Sequence, residues 1–466
     1  MMKNVPASLT VALSRIFMIL LATGLSTVCG AQDVRNPGAG RIWTLEECIA
    51  TARVNNIQVM RQILQENAGK SDLHSARASI LPNVSGWFAH NLNSGKTVNY
   101  EDYSYINTTY QDGNLGLQAR LPLFEGMQGH YLIQQAKMNL RTAEQQTQAL
   151  ETQVTLMVVT AYLQILLSEE MVKVAEEKLK VSQHLIFQAE EFFSTGRIAR
   201  SEVLTIKSQE AQDQLDLVTR QGELEMACLT MRQLLNIEGD GQIRVKTPDA
   251  VQLDQFSLPS AESIFEYARS NQPRILAAQS RVLANEASLN LARGATLPSL
   301  SLGGLVYSRY SELGVNPLDP EAIYSYQQQL FDNNYMRASV NLNIPISTRY
   351  ATQTQRMISQ ARVNVLDSRL ALEQEQKTMK EEIQQAATQA RTAIARLSAA
   401  ESAASSASEA YDLVKQQFEA GLVTAIDLRV SGNQLLQAET NRLQSRYELL
   451  LRSKILEVYL GREITL

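Results

Sequence analysis

TLEECIATARVNN at Thr44–Asn56 returns as SAESIFEYARSNQ at Ser260–Gln272, and DLHSARASILP at Asp72–Pro82 returns as SLNLARGATLP at Ser288–Pro298. Both returns come at an offset of 216 residues. Further on, Leu121-Pro122-Leu123 answers Ile344-Pro345-Ile346 at 223 residues, and Phe193-x-x-Gly196 answers Phe418-x-x-Gly421 at 225. The order holds throughout, and the offset grows only where loops can absorb insertions. A repeat this long is a duplicated structural unit, not a short solenoid motif. It divides the chain into 43–237 and 259–461, joined by a linker at 238–258.

Within each unit the expected order is helix, strand, polar loop, strand, very long helix, tight turn, helix. The first helix is expected from about Thr44 to Ile80 and its copy from Ser260 to Thr296, each stopping ahead of a proline. Pro82 and Pro298 then open strands at about 83–92 and 298–310. Second strands follow at about 114–124 and 335–346, and Pro122 and Pro345 close them where a missing N–H matters least. Period two is plain: Leu115, Leu117, Ala119 and Leu121 share one face, as do Met336, Ala338, Val340, Leu342 and Ile344. Segments of about ten residues with one apolar face suit a membrane barrel. A half-buried soluble sheet reads the same way.

The helices favour an extended molecule. Leu132, Ala136, Leu140, Ala143, Leu150, Val154, Met157, Ala161 and Ile165 recur at three- and four-residue steps, and no glycine or proline lies between Gly129 and Gly196. At ~1.5 Å per residue this predicts a helix of roughly 100 Å, which a coiled coil or helical tube can bury and a globular core cannot. The copy, about Tyr350 to Phe418, carries the Ala/Ser-rich stretch Ala386–Ala410, which permits close helix approach. Returning helices are expected through Leu204–Leu235 and Leu428–Leu460. Ser94–Gln111 and Ser308–Asn334 read as long tyrosine-rich loops (Tyr100, Tyr103, Tyr105, Tyr110, Tyr324, Tyr326), at the strand ends opposite the helices.

Residues 1–31 read as an export signal: Lys3 and Arg15 flank a polar start, and Ile16–Leu25 is an apolar core too short to stay as a spanning helix. Small residues at Cys29 and Ala31 predict cleavage after Ala31; lipidation at Cys29 is the alternative, with Val28 a poor neighbour for it. No later stretch nears ~20 consecutive apolar residues. Cys48 and Cys228 occupy unequal repeat positions and read as small buried hydrophobes. A net charge of −5 among 466 residues gives no reason to expect nucleic acid. His74, His90, His130 and His184 have no metal-ligand spacing, no phosphate loop occurs, and acid pairs such as Glu169-Glu170, Glu176-Glu177 and Glu381-Glu382 read as solvated helix faces. Nothing here calls for catalysis or a cofactor.

On the tandem repeat, on Leu81-Pro82 and Leu297-Pro298, and on the tips Gly196-Arg-Ile and Gly421-Leu-Val, the mature chain resembles the TolC-type outer-membrane efflux family. Arg197 departs from the family's Gly-Leu-x tip. The resemblance implies a mixed α/β membrane protein with four strands per chain, contributing to a trimeric twelve-strand barrel that continues as a helical periplasmic tunnel. It implies partners: a homotrimer, a periplasmic adaptor, an inner-membrane pump and outer-membrane lipid. Adaptor contact is expected at the tips, through Gly196, Arg197, Ile198, Gly421, Leu422 and Val423. A periplasmic gate is implied at Glu202 and Asp427, although Val430 stands where some members place a second acid and Val423 replaces a basic residue. Thr424-Ala-Ile-Asp427 also fits a helix-capping pattern, so capping and gating are both open for Asp427. The competing reading is a periplasmic structural coiled-coil protein with a soluble sheet.

Overall fold

The computed structural model describes residues 42–99, 103–237, 243–247, 259–315, 324–346, 348–420 and 422–462. The expected leader with Cys29, Tyr100, most of the 238–258 linker and Gly421 lie outside them.

Each unit begins with two helices, not the single one expected. Helix α1 (Leu45–Asn55) starts on a capping box in which Thr44 and Glu47 each accept the other's backbone N–H at 3.2 Å. Helix α2 (Ile57–Ala78) starts afresh after Asn56, whose extended backbone (φ −65°, ψ 125°) breaks the run. The break has a cause at each end of one amide. Asn56 Oδ1 accepts from the N–H of Gln58 at 2.9 Å, and Nδ2 donates to the Leu234 carbonyl at 3.3 Å. The second unit repeats this with helices of the same lengths, Ala261–Asn271 and Pro273–Gly294, labelled α5 and α6 below. There Gln272 Nε2 donates to the carbonyls of Val458 and Tyr459 at 3.0 and 3.1 Å. In both units the break residue fastens the end of the last helix.

The first long hairpin is α3 (Gln128–Ser194) with α4 (Arg200–Leu235). The second is α8 (Thr348–Glu419) with α9 (Ala425–Tyr459); α7 is the short helix Tyr326–Asp332, inside what reads from sequence as loop. At 67 and 72 residues, α3 and α8 run roughly 100 Å or more. Each unit has its own core. In the first, Leu45, Cys48, Ile49 and Ala52 pack with Val154–Leu166 of α3 and with Met231 and Leu235 of α4. In the second, Ile264, Phe265 and Ala268 pack with Met379, Ile383, Ala386, Ala390 and Leu456. One 18-residue window of α3 reaches a mean hydropathy of 1.4, by composition enough to cross a membrane, and half of it is buried inside this fold. Two short strands, β1 (Ile42–Trp43) and β4 (Arg244–Val245), pair in parallel beside the first core. Tyr162 Oη donates toward the carbonyls of both Trp43 and Lys246, at 3.3 and 2.7 Å.

The remaining strands are β2 (Asn83–Val98), β3 (Tyr105–Glu125), β5 (Ser299–Ser311) and β6 (Tyr335–Asn343), antiparallel in the order β2-β3-β5-β6. Most of Ser94–Gln111, expected as loop, continues the ladder to Val98 opposite Tyr105. Polar cross-strand contacts extend it: Thr109 Oγ1 to Ser94 Oγ at 3.0 Å, and the Lys96 ammonium 5.0 Å from the Tyr105 ring centre. β3 does not close at Pro122 but passes it through a register shift between Pro122 and Phe124.

Register sorts the sheet into two faces. One carries Val84, Phe88 and Leu92; Leu115, Leu117, Ala119 and Leu121; Leu302 and Val306; Met336, Val340 and Leu342. These are exposed to a degree unusual for such side chains: Phe88 68%, Leu92 71%, Met336 73%, Val340 68%. The opposite face carries Ser85, Asn91, Asp112, Gln118, Arg120, Arg309, Arg337, Ser339 and Asn341.

Candidate functional site at the helix tips

The turn from α3 to α4 follows from one residue. Gly196 has φ +72°, a conformation that costs other residues and lets the chain reverse. Its N–H donates to Phe193 O at 3.0 Å and that of Arg197 to Phe192 O at 2.8 Å, the paired bonds of a Schellman helix end. Arg197 lies 5.7 Å from the Phe192 ring centre, replacing the usual apolar contact by a cation–π one. In the α8–α9 turn the N–H of Leu422 donates to Gln417 O at 2.8 Å, the counterpart of the Arg197 bond. Ile198 and Val423 are half-buried and Leu422 is 76% exposed, so the two turns present apolar surface beyond the helix ends.

Glu202 and Asp427 are both the third residue of the returning helix and both exposed, but their bonding differs. Asp427 closes a capping box: its N–H donates to Thr424 Oγ1 at 3.3 Å, and its carboxylate accepts from the Thr424 hydroxyl at 2.6 Å and from the Thr424 N–H at 2.9 Å. The Thr424 hydroxyl first, and its N–H second, hold the Asp427 carboxyl below its ordinary pKa of 3.8. At α4 the cap position is Ala199, which has no hydroxyl, and no side-chain cap forms. The capping pattern read from Thr424 to Asp427 is therefore present in the structure.

Sequence reading missed a buried polar cluster behind the first tip. Asp213 on α4 is 1% exposed; it pairs with Lys178 Nζ at 3.1 Å, accepts from Gln209 Nε2 at 2.8 Å and takes the hydroxyl of Ser182. This cluster borders a cleft of about 890 Å³ between the hairpins, whose other wall includes Tyr411, Phe418 and Leu428. Its signal was the four-residue step from Lys178 to Ser182, which reads equally as a solvated face. Cys48 is fully buried, and burial first, then Glu47 and Glu46, pushes its thiol up to about 12, leaving it unreactive. Among the described residues no group of three or more His, Cys, Asp or Glu could hold a metal ion.

The chain compares as follows with known proteins. The family profile described as outer membrane efflux protein matches twice, over residues 48–236 and 265–462. The outer membrane protein TolC of Vibrio cholerae is 23% identical over 443 residues, covering 94% of this chain and 93% of that relative. The Campylobacter jejuni CmeC outer membrane channel superposes with a TM-score of 0.75 at 16% identity, over 90% of this chain and 85% of CmeC. The outer membrane protein VceC of Vibrio cholerae gives 0.72 at 16%, over 90% and 96%. The two profile matches span most of the chain, from α1 through α4 and from α5 through α9, and the chain therefore belongs to the outer membrane efflux protein family.

Proposed function

We propose that three copies of this efflux protein assemble into a twelve-strand barrel continued by a helical periplasmic tunnel, forming the passive exit duct of a tripartite efflux or secretion system. The observation that carries this reading is the apolar sheet face. From the row of Leu300 and Leu342 to that of Leu92 it extends roughly 40 Å along the strands, or about 30 Å at a tilt of ~40°, comparable with a bilayer's hydrocarbon core. Beyond Leu92 the same face turns polar with Ser94, Lys96, Asn107 and Thr109. Among the described residues β2 and β6 each pair on one side only. An open edge in lipid leaves backbone N–H and C=O groups unsatisfied, and four strands cannot close a barrel, so other copies must supply the missing ladders. The units 43–237 and 259–461 then each contribute two strands and one hairpin. Mass measurement of the detergent-purified particle should give a trimer with a long extension; a stable monomer in detergent-free buffer would overturn the barrel in favour of a periplasmic structural protein.

In this assembly the tips lie farthest from the lipid, where a periplasmic adaptor linked to an inner-membrane pump would meet Gly196, Arg197, Ile198, Gly421, Leu422 and Val423. Photocrosslinkers at Ile198 and Leu422 should capture that adaptor in cells, and capture only from the tyrosine-rich strand ends would count against the placement. Three copies of Glu202 and Asp427 would put six carboxylates at the tunnel mouth, attracting cations. Glu202→Gln with Asp427→Asn should weaken cation preference in planar-bilayer recordings. Unchanged selectivity in a correctly assembled double variant would leave Asp427 as a cap alone.

A further inference from the structure

The polar face of the sheet contains one row that is not polar. Register places Trp87 opposite Gly116, Gly116 opposite Tyr307 and Tyr307 opposite Tyr335, so a single row crosses all four strands with an aromatic ring on three of them. The fourth position holds glycine because the indole occupies its space. A Cβ on Gly116 would meet the Trp87 ring at 2.4 Å and Tyr307 Cβ at 2.8 Å. Trp87 Nε1–H donates to Asn114 Oδ1 at 2.8 Å, which fixes the ring's orientation. The Tyr307 and Tyr335 rings lie 5.3 Å apart, tilted by 55°. The indole over Gly116 and the tyrosine pair therefore line one row of the face with aromatic surface.

Charge flanks this row on both sides. Arg309 stands one row toward the β2–β3 turn, opposite Asn114, and Arg337 one row toward the long helices, opposite Leu305. Both are exposed, and neither has a carboxylate partner among the described residues. The other charges of this face are already engaged: Arg120 lies 3.7 Å from Glu125, and Asp112 accepts from Asn91 at 2.9 Å. Two guanidinium groups with no carboxylate partner among the described residues, beside this aromatic row, match a planar ring bearing an anionic group, by ring contact with the row and a charge-assisted bond at its rim. A cation of the same shape would meet the same rings and the wrong charge.

We infer that Trp87, Tyr307 and Tyr335, with Arg309 and Arg337, form a retention site for planar aromatic anions, the class of aryl carboxylates and sulfonates, inside the barrel. This rests on the barrel reading, which turns the polar face inward and repeats the site in each copy. Such a site would hold solutes weakly and release them outward, biasing the duct toward aromatic acids.

Trp43 and Trp87 are the only tryptophans of the chain, and Trp43 is buried. A Trp43→Phe variant in liposomes therefore makes Trp87 the sole reporter; the wild-type chain, with Trp43 as constant background, serves at smaller amplitude. Titration with para-nitrobenzoate should give saturable static quenching, whereas para-nitrobenzyltrimethylammonium should not saturate over the same range. Arg309→Gln with Arg337→Gln should raise the apparent Kd by about tenfold or more, the scale of losing charge-assisted bonds. Non-saturable quenching, equal saturation by the cation, or an unchanged Kd in the double variant would overturn the site. The barrel reading is tested separately on the same protein: brominated acyl chains should leave Trp87 fluorescent, and quenching by them would place the polar face toward lipid.

Discussion

The two long hairpins have nearly the same length and the same place in their units, yet they are fastened differently. The first holds a buried ion pair, Lys178 with Asp213, and starts its return helix on an uncapped Ala199. The second, 225 residues on, carries Ala403, Ala407 and Ala438 where the first has Lys178, Ser182 and Asp213, and starts its return helix on the Thr424 capping box. One has a buried ion pair along its shaft and no side-chain cap where its return helix starts; the other has small residues at the matching shaft positions and a capping box there. Two hairpins of matching geometry are thus held by different groups. Shape in these hairpins is set by periodicity, and rigidity by a few polar groups that periodicity does not see.

The sharpest way to break the comparison is to remove the shaft pair. Asp213→Ala leaves an amine and a hydroxyl facing a buried site and should destabilise the first hairpin by about 3 kcal/mol. Amide exchange should quicken in α3 and α4 and stay unchanged in α8 and α9. Asp213→Leu with Lys178→Met should recover most of the loss, since two apolar groups leave nothing unpaired. Next in size, Gly196→Ala puts a Cβ into a left-handed conformation and should cost about 1–2 kcal/mol, read as faster exchange confined to the first tip.

Smaller effects sharpen the contrast at the caps. Thr424→Ala should loosen the first turn of α9 by about 1 kcal/mol, while Ala199→Thr should build a cap at α4 with Glu202 at the required spacing and gain about 0.5–1 kcal/mol. If Ala199→Thr leaves exchange at α4 unaltered, the missing hydroxyl is not what separates the tips. The smallest effect is on pH. Because the Asp427 carboxyl is held below 3.8, its contribution is complete above that value and disappears as pH falls through the lowered folded-state value. The first turn of α9 should therefore loosen as pH falls below 3.8, in a way that Thr424→Ala abolishes.

The long helices and the sheet face were legible because each is a periodic property of adjacent residues. Leu117, Ala119 and Leu121, read as one face, do sit opposite Val306, Gly304 and Leu302. On β2 the polar face carries Trp87 and Ala89, and only the register explains why an indole belongs there. The breaks at Asn56 and Gln272 were hidden because their amides answer to carbonyls more than 170 residues away. The extension of the β2–β3 hairpin was hidden by its polar side chains, which resemble loop until they are paired. At the tips, the spacing from glycine to acid and the Thr424–Asp427 cap were readable from sequence. The buried state of Asp213 was not, since an acid on a long helix reads as solvated until its neighbours are known.

The small parallel ladder beside the first core sets a timetable for synthesis. Ile42 and Trp43 pair with Arg244 and Val245, and Tyr162 ties both segments together. A chain made from its N-terminus must therefore hold its first strand unpaired until some 200 residues more have emerged. Contacts so distant in sequence form slowly. β3 waits almost as long for β5. The α3 stripe likewise stays uncovered on one side until Met231 and Leu235 of α4 have been made.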